Sequence, residues 1–124
     1  MSINNKCMLV YGLKEDEIKK IKAKNFKVIE ITNDMALMKL EDIVLKVNGE
    51  NTFSELPLDE KAIIFNGFND AQLKENIKFI RSFIQGGVLA VTTKESYKWT
   101  FQYLLEHLVE EREWYKVQQE TKGE

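Results

Sequence analysis

The sequence predicts a single small α/β domain made of two consecutive β-α-β-α units. Three observations carry that prediction. First, Cys7-Met8-Leu9-Val10-Tyr11 and Ala62-Ile63-Ile64-Phe65-Asn66 share one design: an apolar run, a glycine (Gly12, Gly67), one large apolar residue (Leu13, Phe68), then an acidic helical start. Second, each is followed by another apolar run, Phe26 to Ile31 and Val88 to Val91. Third, apolar residues between and after these runs recur at helical spacing. Near-continuous apolar runs suit strands buried on both faces of a sheet. Strands alternating with helices imply parallel strands joined by right-handed crossovers. The expected architecture is a four-stranded, mainly parallel sheet, order 2-1-3-4, with two helices on each face. The internal repeat would span 7–48 and 62–118, joined by a linker at 49–60.

Each element has a local reason. The first strand is expected at Cys7 to Tyr11, ended by Gly12. A helix follows from Lys14 to Lys24 with Ile18 and Ile21 inward. Leu13 and Ile18 are placed as a hydrophobic staple, and Asn25 is suited to a left-handed cap. The second strand is Phe26 to Ile31. Leu37, Leu40, Val44 and Val47 form a stripe that predicts a helix from Met38 to Val47, closed by Asn48-Gly49. The stretch 49–60 holds Pro57, the sole proline. The third strand is Ala62 to Asn66. Asn69 and Gln72 form a capping box for the next helix, stapled by Phe68 and Leu73, with Leu73, Ile77, Ile80 and Ile84 inward. Gly86-Gly87 ends it, and Val88 to Val91 is the fourth strand. Thr100 caps the last helix, stapled by Trp99 and Leu104. Its predicted buried stripe is Phe101, Leu104, Leu105, Leu108 and Tyr115. The tail 119–124 is polar and is expected to fray.

Composition narrows the function classes. At 124 residues with 44% hydrophobic and 31% charged side chains, the chain fits one folded domain. No apolar run reaches the roughly 20 residues that span a bilayer, so no membrane partner is expected. Met1 to Lys6 has no hydrophobic signal core, and Cys7 is the lone cysteine, so a reducing cytoplasm is the expected location. The net charge of −2 is near balance. Lys19, Lys20, Lys22, Lys24 and Lys27 follow Glu15-Asp16-Glu17 along one helix, an order that answers the helix dipole. Without a basic stripe interleaved with aromatics, no nucleic-acid partner is expected.

The second half resembles a known family. Ile63-Ile64-Phe65-Asn66-Gly67-Phe68, Val88-Leu89-Ala90-Val91-Thr92, Trp99-Thr100-Phe101 and Leu104-Leu105-Glu106-His107-Leu108 are similar to a group of small bacterial proteins known as domain of unknown function 3783. The resemblance covers Ala62 to Tyr115; the first half matches in outline only. Where the family pattern carries an asparagine before the tryptophan, this chain has Tyr97-Lys98. The resemblance implies a strand-helix-strand-helix segment and implies no activity.

Two sets of residues stand out. In an open parallel sheet, ligands bind outside the carboxyl ends of the strands at the switch point. There the expected topology gathers Tyr11, Gly12, Asn66, Gly67, Thr92, Thr93 and Trp99. Neither glycine turn is a phosphate loop, and Glu15, Asp16 and Glu17 repel phosphate, so a neutral or cationic ligand is favoured. The bland reading, tight turns and capping threonines, is the stronger one for this set. The second set is Tyr103, His107 and Trp114, which fall on the outer face of the last helix at i, i+4 and i+11. Tyr and Trp are enriched where proteins bind each other.

Catalytic chemistry lacks its parts. Cys7 opens a buried strand, where a thiol is inert filling, and His107 is too far away to activate it. Glu106, His107, Glu110 and Glu111 share a helix, but one helix rarely completes a metal site, and no second His or Cys cluster exists. No cofactor, metal or catalytic residue is therefore expected. The reading is a non-catalytic interaction or regulatory module whose partner is a protein or a second copy of itself. The alternative is a small-ligand domain or enzyme using the strand ends.

Overall fold

The computed structural model describes residues 6–122, with side chains through Gln118. The elements in chain order are β1 (Cys7–Tyr11), α1 (Glu15–Lys22), β2 (Val28–Glu30), α2 (Leu40–Leu45), β3 (Ala62–Asn66), α3 (Asp70–Arg81), β4 (Val88–Val91) and α4 (Phe101–Lys122). Short 3-10 turns at Asn33–Met35 and Ser96–Lys98 precede α2 and α4. The strands form one sheet in the order β2-β1-β3-β4, as expected.

Alternation along the strands sorts side chains between two cores. Leu9, Ile64 and Val88 face a layer built by α2 and α4, with Leu40, Ile43, Val44, Phe101, Leu104 and Leu105 buried there. Met8, Val10, Ile63 and Phe65 face the opposite layer, where Ile21 of α1 and Ile80 of α3 pack. Two helices thus cover each face.

The sheet is mainly parallel, as expected, with one pair that differs from the parallel crossovers that the alternation of elements implies. β1 pairs with β2 and β3 with β4 in parallel, but β1 and β3 at the centre are antiparallel, with Cys7 opposite Asn66 and Tyr11 opposite Ala62. The connection from β2 to β3 leaves and re-enters the sheet at the same end, so β3 runs the other way.

Other boundaries differ for local reasons. α2 stops at Leu45 because Lys46 takes a left-handed conformation, φ 59°. Leu37 precedes this helix and Val47 follows it, and both residues, assigned to its buried stripe, are exposed. β2 is three residues long, shorter than the expected 26–31. Tyr115, expected in the core, is 61% exposed. The 22-residue α4 rises about 33 Å and outruns the strands beneath it. That helix continues to Lys122, past the expected limit of 118; the last two residues of the tail expected to fray lie outside the described residues.

The caps behave as their residues dictate. Gln72 donates its amide N–H to Asn69 Oδ1 at 2.8 Å, and Gln72 Oε1 accepts from the Asn69 amide at 3.1 Å. Thr100 Oγ1 accepts from the Tyr103 amide, and Asn25 is left-handed at φ 65°. At α1, where Lys14 has no capping oxygen, Glu17 Oε1 accepts from the Lys14 amide instead. The lysines of α1 also shield aromatic surface. The Lys20 and Lys24 ammonium groups each lie 5.2 Å from the ring centres of Phe83 and Phe79.

Candidate functional site

The antiparallel centre separates the two glycine turns. Tyr11 and Gly12 lie at one end of the sheet, beside the start of β3, while Asn66 and Gly67 lie at the other. A strand-end crevice at a switch point needs neighbouring strands whose carboxyl ends coincide. β1 and β3 do not provide that, so the single cleft expected from Tyr11 to Trp99 does not form.

At the first end the groups are occupied by structure. Gly12 has φ +75°, and a Cβ there would collide with the Glu60 carbonyl oxygen. Only glycine fits this close backbone approach. The Tyr11 hydroxyl donates to the Pro57 carbonyl at 2.6 Å and ties the linker down; burial pushes its pKa up.

At the other end, Asn66 is fully buried, and its Oδ1 accepts a 2.7 Å bond from the Thr92 hydroxyl. Thr93 and Ser96 bond reciprocally. The Thr93 amide donates to Ser96 Oγ at 2.9 Å, and the Ser96 amide donates to Thr93 Oγ1 at 3.0 Å. These hydroxyls tie β4 to β3 and start the 3-10 turn, the capping role that short hydroxyl side chains serve well. Gly67 is left-handed, φ 84°, as its turn requires.

Trp99 belongs with the second set. Its ring centre lies 4.9 Å from Tyr103 and 5.5 Å from His107, both edge-to-face, and Tyr103 stacks on His107 at 6.3 Å. Trp99, Tyr103 and His107 are spaced i, i+4, i+8. That spacing was visible in the chain, but Trp99 had been assigned to the strand ends. Tyr103 is 53% and Trp114 58% exposed, and Trp114 stacks edge-to-face on the exposed Tyr115. The structure thus places Tyr103, His107 and Trp114 on the outer surface of α4.

Charged groups fix α4 to the sheet. Arg112 Nη1 and Nη2 donate to the two oxygens of Glu60 at 2.8 and 2.7 Å. The Arg112 hydrogen bonds hold the Glu60 carboxyl below its ordinary range against the opposing effect of burial. Glu60 in turn raises the Arg112 pKa. On the other face, Lys61 Nζ donates to the buried Glu17 at 2.8 Å. Burial alone would raise the Glu17 pKa; the bonds from Lys61 and the Lys14 amide outweigh it and bring it down.

The remaining chemistry is sparse. Cys7 is fully buried, and burial pushes its thiol up, away from the reactive thiolate. His107 Nε2 lies 3.4 Å from Glu111 on the exposed helix surface. Among the described residues no group of three or more His, Cys, Asp or Glu is placed to hold a metal, and no helix is long and apolar enough to cross a membrane.

No curated protein and no solved structure matches the chain. A family model described as Domain of unknown function (DUF3783) matches residues 61–115, from the start of β3 to Tyr115 on α4. That stretch holds the Asn66–Thr92 link, the aromatic cluster and Arg112, the residues that build one sheet end and fix α4. Over residues 61–115 this chain is similar to the DUF3783 family.

Proposed function

We propose that this protein is a non-catalytic interaction module of a reducing cytoplasm that self-associates through the outer face of α4. The observation that carries this reading is the exposed row Tyr103–His107–Trp114, with Tyr103 53% and Trp114 58% accessible. Tyr and Trp side chains left in water on one helix face are the residue types enriched where proteins bind each other. The row continues to Val117, which is 57% exposed.

Its spacing favours a second copy as the occupant. Tyr103 and Val117 lie equally far from Glu110, and His107 and Trp114 almost so. Two α4 helices crossing antiparallel about Glu110 would set Tyr103 against Val117, and His107 against Trp114, twice over. That self-complementarity is what a two-fold interface requires. The stripe is about 21 Å long on a helix about 10–12 Å wide. It offers a few hundred Å² per copy, so the dimer is weak and reversible. Glu110 meets its own copy at the axis, a repulsion that keeps association modest at neutral pH.

Sedimentation velocity over a concentration series tests the proposal. Tyr103→Ser with Trp114→Ser should leave a folded monomer. Unchanged association in that variant removes the proposal.

A further inference from the structure

A cleft lies on the α2 side of the molecule, lined by no residue of α4. It measures about 660 Å³ and is bounded by the 3-10 turn at 33–35, α2 and the loop at 46–53. Its apolar surface comes from Ile29, Met35, Met38, Ile43, Val47 and Phe53. Its size falls within the roughly 300–1,000 Å³ typical of small-molecule sites.

An apolar space of this kind should collapse unless something holds its walls apart. Here the returning arm of the loop is bonded to the 3-10 turn and to Leu37 just after it. The Leu37 amide donates to the Thr52 carbonyl at 2.8 Å, and the Ser54 amide donates to the Asn33 carbonyl at 3.1 Å. The Thr52 hydroxyl donates to the Asp34 carbonyl at 2.5 Å, and the Leu56 amide donates to Asn33 Oδ1 at 3.2 Å. Phe53, carried between two of these anchors, stays 58% exposed at the wall.

Two opposite charges line the same cleft, Asp34 and Lys46. Neither forms an ion pair among the described residues. Lys46 sits in the left-handed conformation that ends α2, where a lysine is less comfortable than glycine or asparagine. Both charges are exposed to water where they line the cleft; an apolar surface edged by one cation and one anion matches a ligand with an apolar body and both charges.

We propose that this cleft binds a small apolar zwitterion, either a hydrophobic amino acid or a dipeptide. The ammonium group faces Asp34, the carboxylate faces Lys46, and the side chain lies on Ile29, Met35 and Met38. This site is independent of the self-association reading.

Calorimetric titration with L-phenylalanine and with L-leucyl-L-leucine tests it, and the tighter probe identifies the source. Saturable binding of either is expected, with the Met35 and Met38 methyl resonances moving in step. Blocking one charge removes a charge-assisted bond, so N-acetyl-L-phenylalanine and L-phenylalaninamide should each bind about tenfold more weakly than the free amino acid. The same block applied to the dipeptide should act alike. The acetyl penalty should vanish in Asp34→Asn and the amide penalty in Lys46→Gln. The proposal is overturned by no saturable binding of either probe at millimolar concentration, by blocked probes binding equally well, or by resonance changes confined to other parts of the molecule.

Discussion

Arg112 grips both carboxylate oxygens of Glu60, at 2.8 and 2.7 Å, where α4 passes the start of β3. The next residue, Lys61, pairs with Glu17 of α1 on the opposite face. Two consecutive residues at the start of the central strand therefore fasten a helix layer on each side of the sheet. The Arg112 side chain is 27% and Glu60 16% exposed, so this pair is shielded more than an ordinary surface ion pair. Arg112→Ala should cost about 1–2 kcal/mol, between exposed and fully buried pairs. Urea unfolding measures it, and a cycle with Glu60→Gln should show coupling between the two sites.

The same pairs set an acid limit on stability. Glu60 and Glu17 both have pKa values lowered in the fold. A lowered folded pKa contributes stability that is fully present above the unfolded carboxylate value and is lost as pH falls through the folded one. Unfolding midpoints should hold steady from neutrality to about pH 5 and then fall, given ordinary carboxylate values of about 4. Glu17→Gln with Glu60→Gln should be less stable at neutral pH and fall less steeply below pH 5. An equal slope in the variant would remove these two carboxyls from the account.

Two glycines separate conformational strain from collision. Gly12 and Gly86 are both left-handed, at φ +75° and +74°, but a Cβ at Gly86 meets nothing within 4 Å while one at Gly12 strikes the Glu60 carbonyl. Gly86→Ala should cost about 1 kcal/mol, the price of the backbone conformation alone. Gly12→Ala should cost clearly more, about 3 kcal/mol with the forced backbone shift. Equal losses by urea titration would contradict the close packing of β1's turn on Glu60.

Cys7 should behave as core. It is fully buried, with its thiol pKa raised by that burial. A thiol reagent at pH 7.5 should label native protein slowly, at a rate tracking global unfolding, and label it at once in urea. Rapid labelling of the native state would mean that β1 is accessible.

Much of the fold was legible because its signals are local. β1, β3 and β4 sit where their apolar runs end in glycine or threonine. Asn69, Gln72 and Thr100 cap where a side-chain oxygen meets free amide groups. What was not legible depends on distance in space. The apolar pattern of β3 is the same whichever way the strand runs, and its direction depends on where the chain re-enters the sheet after β2. Once β3 reverses, Tyr11 and Gly12 part company with Asn66 and Gly67, and the expected strand-end site divides. The α4 row survived because helical spacing alone places Tyr103, His107 and Trp114 on one face. Tyr115 was misassigned because periodicity cannot tell where the sheet beneath a helix ends. The cleft at 46–53 had no sequence signal, since its walls are held by backbone and side-chain hydrogen bonds across 15 to 23 residues.

The most direct test of the central claim is native mass spectrometry of the protein beside its Tyr103→Ser, Trp114→Ser variant across a concentration series. The account predicts a dimer that grows with concentration in the unmodified protein and is absent from the folded variant. A dimer of equal abundance in both, or none in either, would contradict self-association through α4.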